Sequence, residues 1–124
     1  MAYEITVVNE AITIRQNADF SKTYKFADED GVALELDNCK FKSQIKSHND
    51  ISAEVLFTFD SEANDGSVVV DLLTGEVTFA IPKATAVTFT FKEAYYDALV
   101  TWADGITQPF REGVAILKKG ITTP

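Results

Sequence analysis

Apolar side chains recur at every second position in Ala11 to Gln16, Phe20 to Phe26, Phe41 to Lys46, Val55 to Phe59 and Val77 to Ile81. This period loads one face of a pleated strand and leaves the other face polar. No stretch repeats its apolar residues at the three-and-four spacing of an amphipathic helix, so the pattern predicts an all-β domain.

Turn formers cut the pattern into strands. The first runs from about Ile5 to Arg15 with a break at Asn9 and Glu10, and Asn17 then tolerates the turn before Asp19 opens the second. Phe20, Tyr24 and Phe26 are expected to face inward. Asp30-Gly31 marks a tight turn into Val32 to Leu36, where Leu34 and Leu36 keep the alternation. Cys39 to Ile45 reads as a central strand with Lys40, Lys42, Gln44 and Lys46 on its outer side. His48, Asn49 and Asp50 separate it from Ala53 to Phe59, and Asn64, Asp65 and Gly66 make the next break. Val68 to Leu72 pairs with Gly75 to Ile81 through Leu73-Thr74-Gly75. Pro82 to Val87 accommodates one short helical turn, because proline is tolerated at a first helical position. Tyr96, Ala98, Val100 and Trp102 share a face, and Asp104-Gly105 leads into a last strand from Thr107 to Leu117. One domain over residues 1–124 is expected, an immunoglobulin-like antiparallel β-sandwich of about seven to nine strands.

Composition narrows the setting. The 124 residues are 46% hydrophobic and include nine Phe, enough for one core without a staple. Cys39 is the single cysteine, so no intramolecular disulfide forms, and it reads as a buried, inert thiol. Nineteen Asp and Glu against eleven Lys and Arg give a net charge of -8, which repels phosphate backbones and anionic lipid. Neither nucleic acid nor membrane is an expected partner, and no apolar run approaches the roughly 18 residues of a membrane span. Met1 to Val8 lacks the basic start and long apolar stretch of a signal peptide, so cytoplasmic synthesis is expected.

Residues with chemistry are few. His48, the one histidine, lies among turn formers, which removes any two-histidine metal site and leaves nucleophilic triads dependent on a polar loop. Asp60, Glu62, Asn64 and Asp71 occupy the first, third, fifth and twelfth positions of an EF-hand-like spacing. Asp65 stands where that loop requires glycine, and strands replace the flanking helices. These four are the calcium candidate, beside the simpler reading of a solvated acidic loop. Asp28, Glu29 and Asp30 are explained by a hairpin turn. The six glycines are scattered singly, so no phosphate-cradling loop exists. No catalytic residue, metal or cofactor is assigned, and an enzyme is not expected.

Ile12-Thr-Ile14, Asn17-Ala-Asp19-Phe20, Phe26-Ala-Asp28-Glu-Asp30-Gly31, Val77-Thr-Phe79-Ala-Ile81-Pro82, Tyr96-Asp97 and Glu112-Gly113-Val114 together resemble a phage β-sandwich family. It comprises the N-terminal domains of baseplate upper proteins and the collar proteins that hold side fibres on tailed phages. The resemblance runs from roughly Ile12 to Leu117 and departs at Asn17, where glycine is commoner, and at Lys92 to Tyr95, which replaces a glycine turn. It implies a non-enzymatic virion component made in the bacterial cytoplasm. Such a protein docks on tail-tube, baseplate or fibre proteins as an adaptor that anchors fibres or receptor-binding proteins, in several copies.

An adaptor of this kind can lend an edge strand to a neighbour through main-chain hydrogen bonds. The candidates are the two ends: Ile5 and Val7 in the segment Ala2 to Val8, and Ile116 and Ile121 in the segment Ile116 to Pro124. The plainer alternative is that both ends pair inside their own sandwich. Two rival functions share the fold. A capsid decoration protein differs only in location, whereas a carbohydrate-binding module needs exposed rings as a stacking platform, for which Phe89, Phe91 and Tyr95 are candidates.

Overall fold

A computed structural model describes residues 5–123. Nine strands and one helical turn follow in order: β1 (Val8–Asn9), β2 (Ile12–Arg15), β3 (Phe20–Lys25), β4 (Lys40–Lys46), β5 (Val55–Asp60), β6 (Val68–Asp71), β7 (Glu76–Ile81), α1 (Lys83–Ala86), β8 (Glu93–Thr101) and β9 (Thr107–Lys118). Each long strand sits where side chains alternate, since the inward set of β4, β7 and β8 is buried and the set between is not.

The strands form two sheets. One runs β1-β9-β8-β4-β5, with β2 also on β9; the other runs β3-β7-β6. The three-stranded sheet has the B-E-D order of an immunoglobulin domain, and β9-β8-β4-β5 has the G-F-C-C′ order of its variable type. The fold is an immunoglobulin-like β-sandwich. Its core joins the sheets through rings: Phe110 packs edge-on against Tyr24, Phe26, Phe41 and Phe79 at 5.1 to 6.4 Å between centroids. Trp102 closes one end, where its buried indole donates to Gln108 Oε1 at 2.6 Å.

Two expectations are corrected. The sandwich is not wholly antiparallel, because β1 and β2 lie parallel to β9, with Ile12 opposite Ala115 and Arg15 opposite Lys118. A parallel pair needs a long crossover, and almost the whole sandwich serves as that connection. Val32 to Leu36 is not a strand: only an Ala27 to Ala33 bridge forms. Asp28 Oδ1 accepts the N–H groups of Asp30 and Val32, each at 2.9 Å, and this curls the chain into an arch. The alternation there still buries Leu36, which plugs the end of the core.

The helical turn after Pro82 is present. Proline offers no side-chain cap, and the cap comes from the turn between β2 and β3, where Asp19 Oδ1 accepts the Lys83 N–H at 2.7 Å. Two stretches of chain 64 residues apart are tied by that bond.

Candidate docking surface

The N-terminal strand kinks at Glu10, between β1 and β2, and the kink is held from several sides. Its N–H donates to the Glu112 carbonyl at 2.8 Å, and its own carbonyl accepts the buried Tyr96 hydroxyl at 2.5 Å. The two strands approach so closely that a Cβ on Gly113 would overlap the Glu10 carbonyl, and Gly113 has φ 157°. The Glu10 carboxylate reaches Lys22 of the small sheet at 3.5 Å and Arg111 of the large sheet at 3.9 Å. Arg111 also lies over the Tyr24 ring at 4.9 Å. Burial raises the pKa of Tyr96, reinforced by the neighbouring Tyr24 phenol and Glu10 carboxylate. Burial and then Glu10 raise Tyr24 likewise. A phenol kept protonated this way is a reliable donor, and the network locks the N-terminal strand across both sheets.

Directly above this lock, the outer face of the large sheet forms an open groove of about 500 Å³. Strand register sets its floor in rows. Val114 and Tyr95 face each other, Glu112 faces Asp97, and Leu99 follows on β8. Tyr95 continues to Lys46 and Asp97 to Gln44 on β4. An acidic row therefore lies between two rows with apolar side chains, and two like charges stand directly opposite each other. The loop from Ser47 to Glu54 overhangs one side, pinned by Lys46 Nζ donating to the Ile51 carbonyl at 2.6 Å. Asp50 stiffens the same loop by accepting from the Ser52 N–H and hydroxyl, which hold its carboxyl below the usual range. Ile51 is 91% exposed at the lip.

The other candidates fare differently. Ile5 packs against the core and Val7 is half-buried; Ala2 to Glu4 and Pro124 of the two end segments lie outside the described residues. Val8 and Asn9 pair with β9 of their own sheet, and Ile116 sits opposite Thr13, so β9 has strands on both sides. Ile121 is fully exposed in a tail that Asn17 holds through the Thr122 carbonyl at 2.9 Å. Strands β1 and β2, which pair with β9 alone, and β5 form the edges of the large sheet, and β3 and β6 those of the small one.

The calcium spacing does not assemble. Asp60 Oδ1 accepts the Glu62 N–H at 2.9 Å, and Asn64 is a left-handed turn residue at φ 53°. Asp71 lies at the far end of β6, about 10 Å along the strand, where it accepts from Leu73 and Thr74. Among the described residues no group of three His, Cys, Asp or Glu is arranged to hold a metal. The aromatic platform is also dismantled, because Phe89 is buried against Phe57 and Phe91. Tyr95 alone of the three faces the groove. Cys39 is half-buried and burial raises its thiol pKa, while exposed His48 meets Ser47 Oγ at 3.0 Å.

Asp97, Leu99 and Glu112 were not singled out as a site in the sequence, although Tyr96-Asp97 and Glu112-Gly113-Val114 carry the resemblance. The available signal was the outward set of β8, which mixes Tyr95, Asp97 and Leu99 where a plain solvent face would be polar throughout.

No family model and no curated protein matches the chain. Among solved structures it is similar to the extracellular domain of the voltage-gated sodium channel beta4 subunit, described in parallel homodimers. The two share 9% identity over 97% of this chain and 100% of that one, with a TM-score of 0.45. The fold assignment rests on the strand order above. No helix among the described residues is long and apolar enough to cross a membrane.

Proposed function

We propose that this chain is a non-enzymatic virion protein of a tailed phage, an adaptor of tail, neck or baseplate that anchors fibres or receptor-binding proteins. The observation that carries the reading is spatial. Segments that carry the family resemblance, remote in sequence, meet at structural joints: Asp19 of Asn17-Ala-Asp19-Phe20 caps the turn after Pro82, and Tyr96 and Gly113 close together on Glu10. Turn grammar alone would not require those meetings. Asp28, Asp50, Asp60, Asp65 and Asp71, the acids of the turns, each hold a loop by accepting backbone N–H groups nearby in sequence.

In this reading the sandwich is a rigid block made in the bacterial cytoplasm and assembled in several copies against other virion proteins. Mass spectrometry of purified particles tests it. The chain is expected as a stoichiometric particle component that cofractionates with tails after heads and tails are separated. Recovery only from the soluble lysate overturns the virion reading, and recovery with capsids alone replaces it with a decoration protein.

A further inference from the structure

We infer that the groove on the outer face of β9, β8 and β4 is a docking site for an extended segment of another protein that carries a cationic side chain with an apolar side chain two residues to either side. This deepens the adaptor reading by naming its contact. The argument starts from spacing. Outward residues of β8 recur every second position, so Tyr95, Asp97 and Leu99 stand about 6.8 Å apart along the strand. Val114 and Glu112 stand opposite Tyr95 and Asp97 on β9, and a β-bulge between Glu112 and Pro109 leaves Leu99 to supply the second apolar row of the groove. An extended segment has the same repeat, so its side chains at alternate positions fall into register with the three rows.

Charge selects the middle residue. Asp97 and Glu112 face each other across the pair, an arrangement that costs stability where no cation lies between them. Among the described residues neither makes an ion pair. Lys46, the one ammonium lining the groove, is spent on the Ile51 carbonyl, and Asp50 adds a third carboxylate at the rim. A guanidinium between Asp97 and Glu112 meets both carboxylates in its planar fork, while Val114, Tyr95 and Leu99 receive the flanking side chains.

The test is an NMR titration of the ¹⁵N-labelled chain with the peptide acetyl-Leu-Ser-Arg-Ser-Leu-amide, beside the same peptide with Glu for Arg. Saturable shifts are expected at Tyr95, Asp97, Glu112, Val114 and Ile51 with the Arg peptide only. Affinity should fall by about tenfold or more in the Asp97→Asn, Glu112→Gln double variant and at raised salt. Both substitutions relieve a like-charge pair, so the variant is expected to fold, and Glu112→Gln alone serves if it does not. Three results overturn the inference: no shifts up to about 5 mM peptide, equal shifts with the Glu peptide, or shifts that map to the β5 edge. Groove shifts that grow with protein concentration and without peptide would also overturn it, by making a second copy the occupant. The titration uses the isolated chain, so its failure leaves the particle assignment standing.

Discussion

The Tyr96 hydroxyl donates to the Glu10 carbonyl at 2.5 Å, joining the start of β8 to a kink 86 positions earlier in the chain. The bond ties the kink between β1 and β2 to the large sheet, beside the Glu10 N–H to Glu112 carbonyl bond. Tyr96→Phe leaves a half-buried carbonyl without its donor and is expected to cost about 1–2 kcal/mol. Amide exchange should accelerate first in Ile12 to Arg15. An unchanged exchange pattern there would mean that the strand is held by its ladder alone.

The same phenol sets an alkaline limit. Tyr96 and Tyr24 are both raised by burial above the ordinary value of 10.0. The folded chain then keeps protons that the unfolded chain has lost, so stability is full below about pH 10 and falls as pH rises beyond it. Urea unfolding measured at rising pH should give a shallower loss in Tyr96→Phe than in the parent chain. Equal slopes would show that the phenol titrates in the folded protein as it does in the unfolded one.

Gly113→Ala tests the close approach. The added Cβ overlaps the Glu10 carbonyl and the backbone is unfavourable for an L residue, so about 2 kcal/mol of stability should be lost. Gly105→Ala is the comparison, with a positive φ of 91° and open space around it. A smaller loss at position 113 than at 105 would contradict the packing described.

Asp19→Ala removes the cap on the Lys83 N–H and should cost about 1 kcal/mol, whereas Asp19→Asn keeps an acceptor and should cost less. Thermal unfolding of the pair reads the difference. Equal losses would show that the carboxylate acts through its charge.

Much of this fold was legible in the chain. β3, β4, β7 and β8 lie where alternation puts Tyr24, Phe41, Val77 and Val100 inward, and the Leu73-Thr74-Gly75 turn joins β6 to β7 as its glycine indicates. What failed was non-local. The direction in which β2 meets β9 depends on a partner a hundred residues away, which no local period encodes. Leu34 and Leu36 alternate as a strand would, but pairing stops at the single Ala27 to Ala33 bridge, beside which the Asp28 carboxylate takes the Val32 N–H. The groove was hidden for the first reason, because Asp97 and Glu112 become neighbours only when β8 and β9 pair.

Phe110 offers a test of the core, since its ring touches rings from both sheets. Phe110→Ala should cost about 3–5 kcal/mol and Phe110→Leu clearly less, read by chemical denaturation. A loss below about 1 kcal/mol for alanine would place the centre of the core elsewhere.

Cross-linking of intact particles, followed by mass spectrometry of the linked peptides, tests the adaptor account most directly. Lys40 and Lys42 of β4 provide exposed amines on the sheet that bears the groove. The account predicts links from these lysines to a tail-tube, baseplate or fibre protein. Links confined to capsid subunits, or a chain absent from the particle, would contradict it.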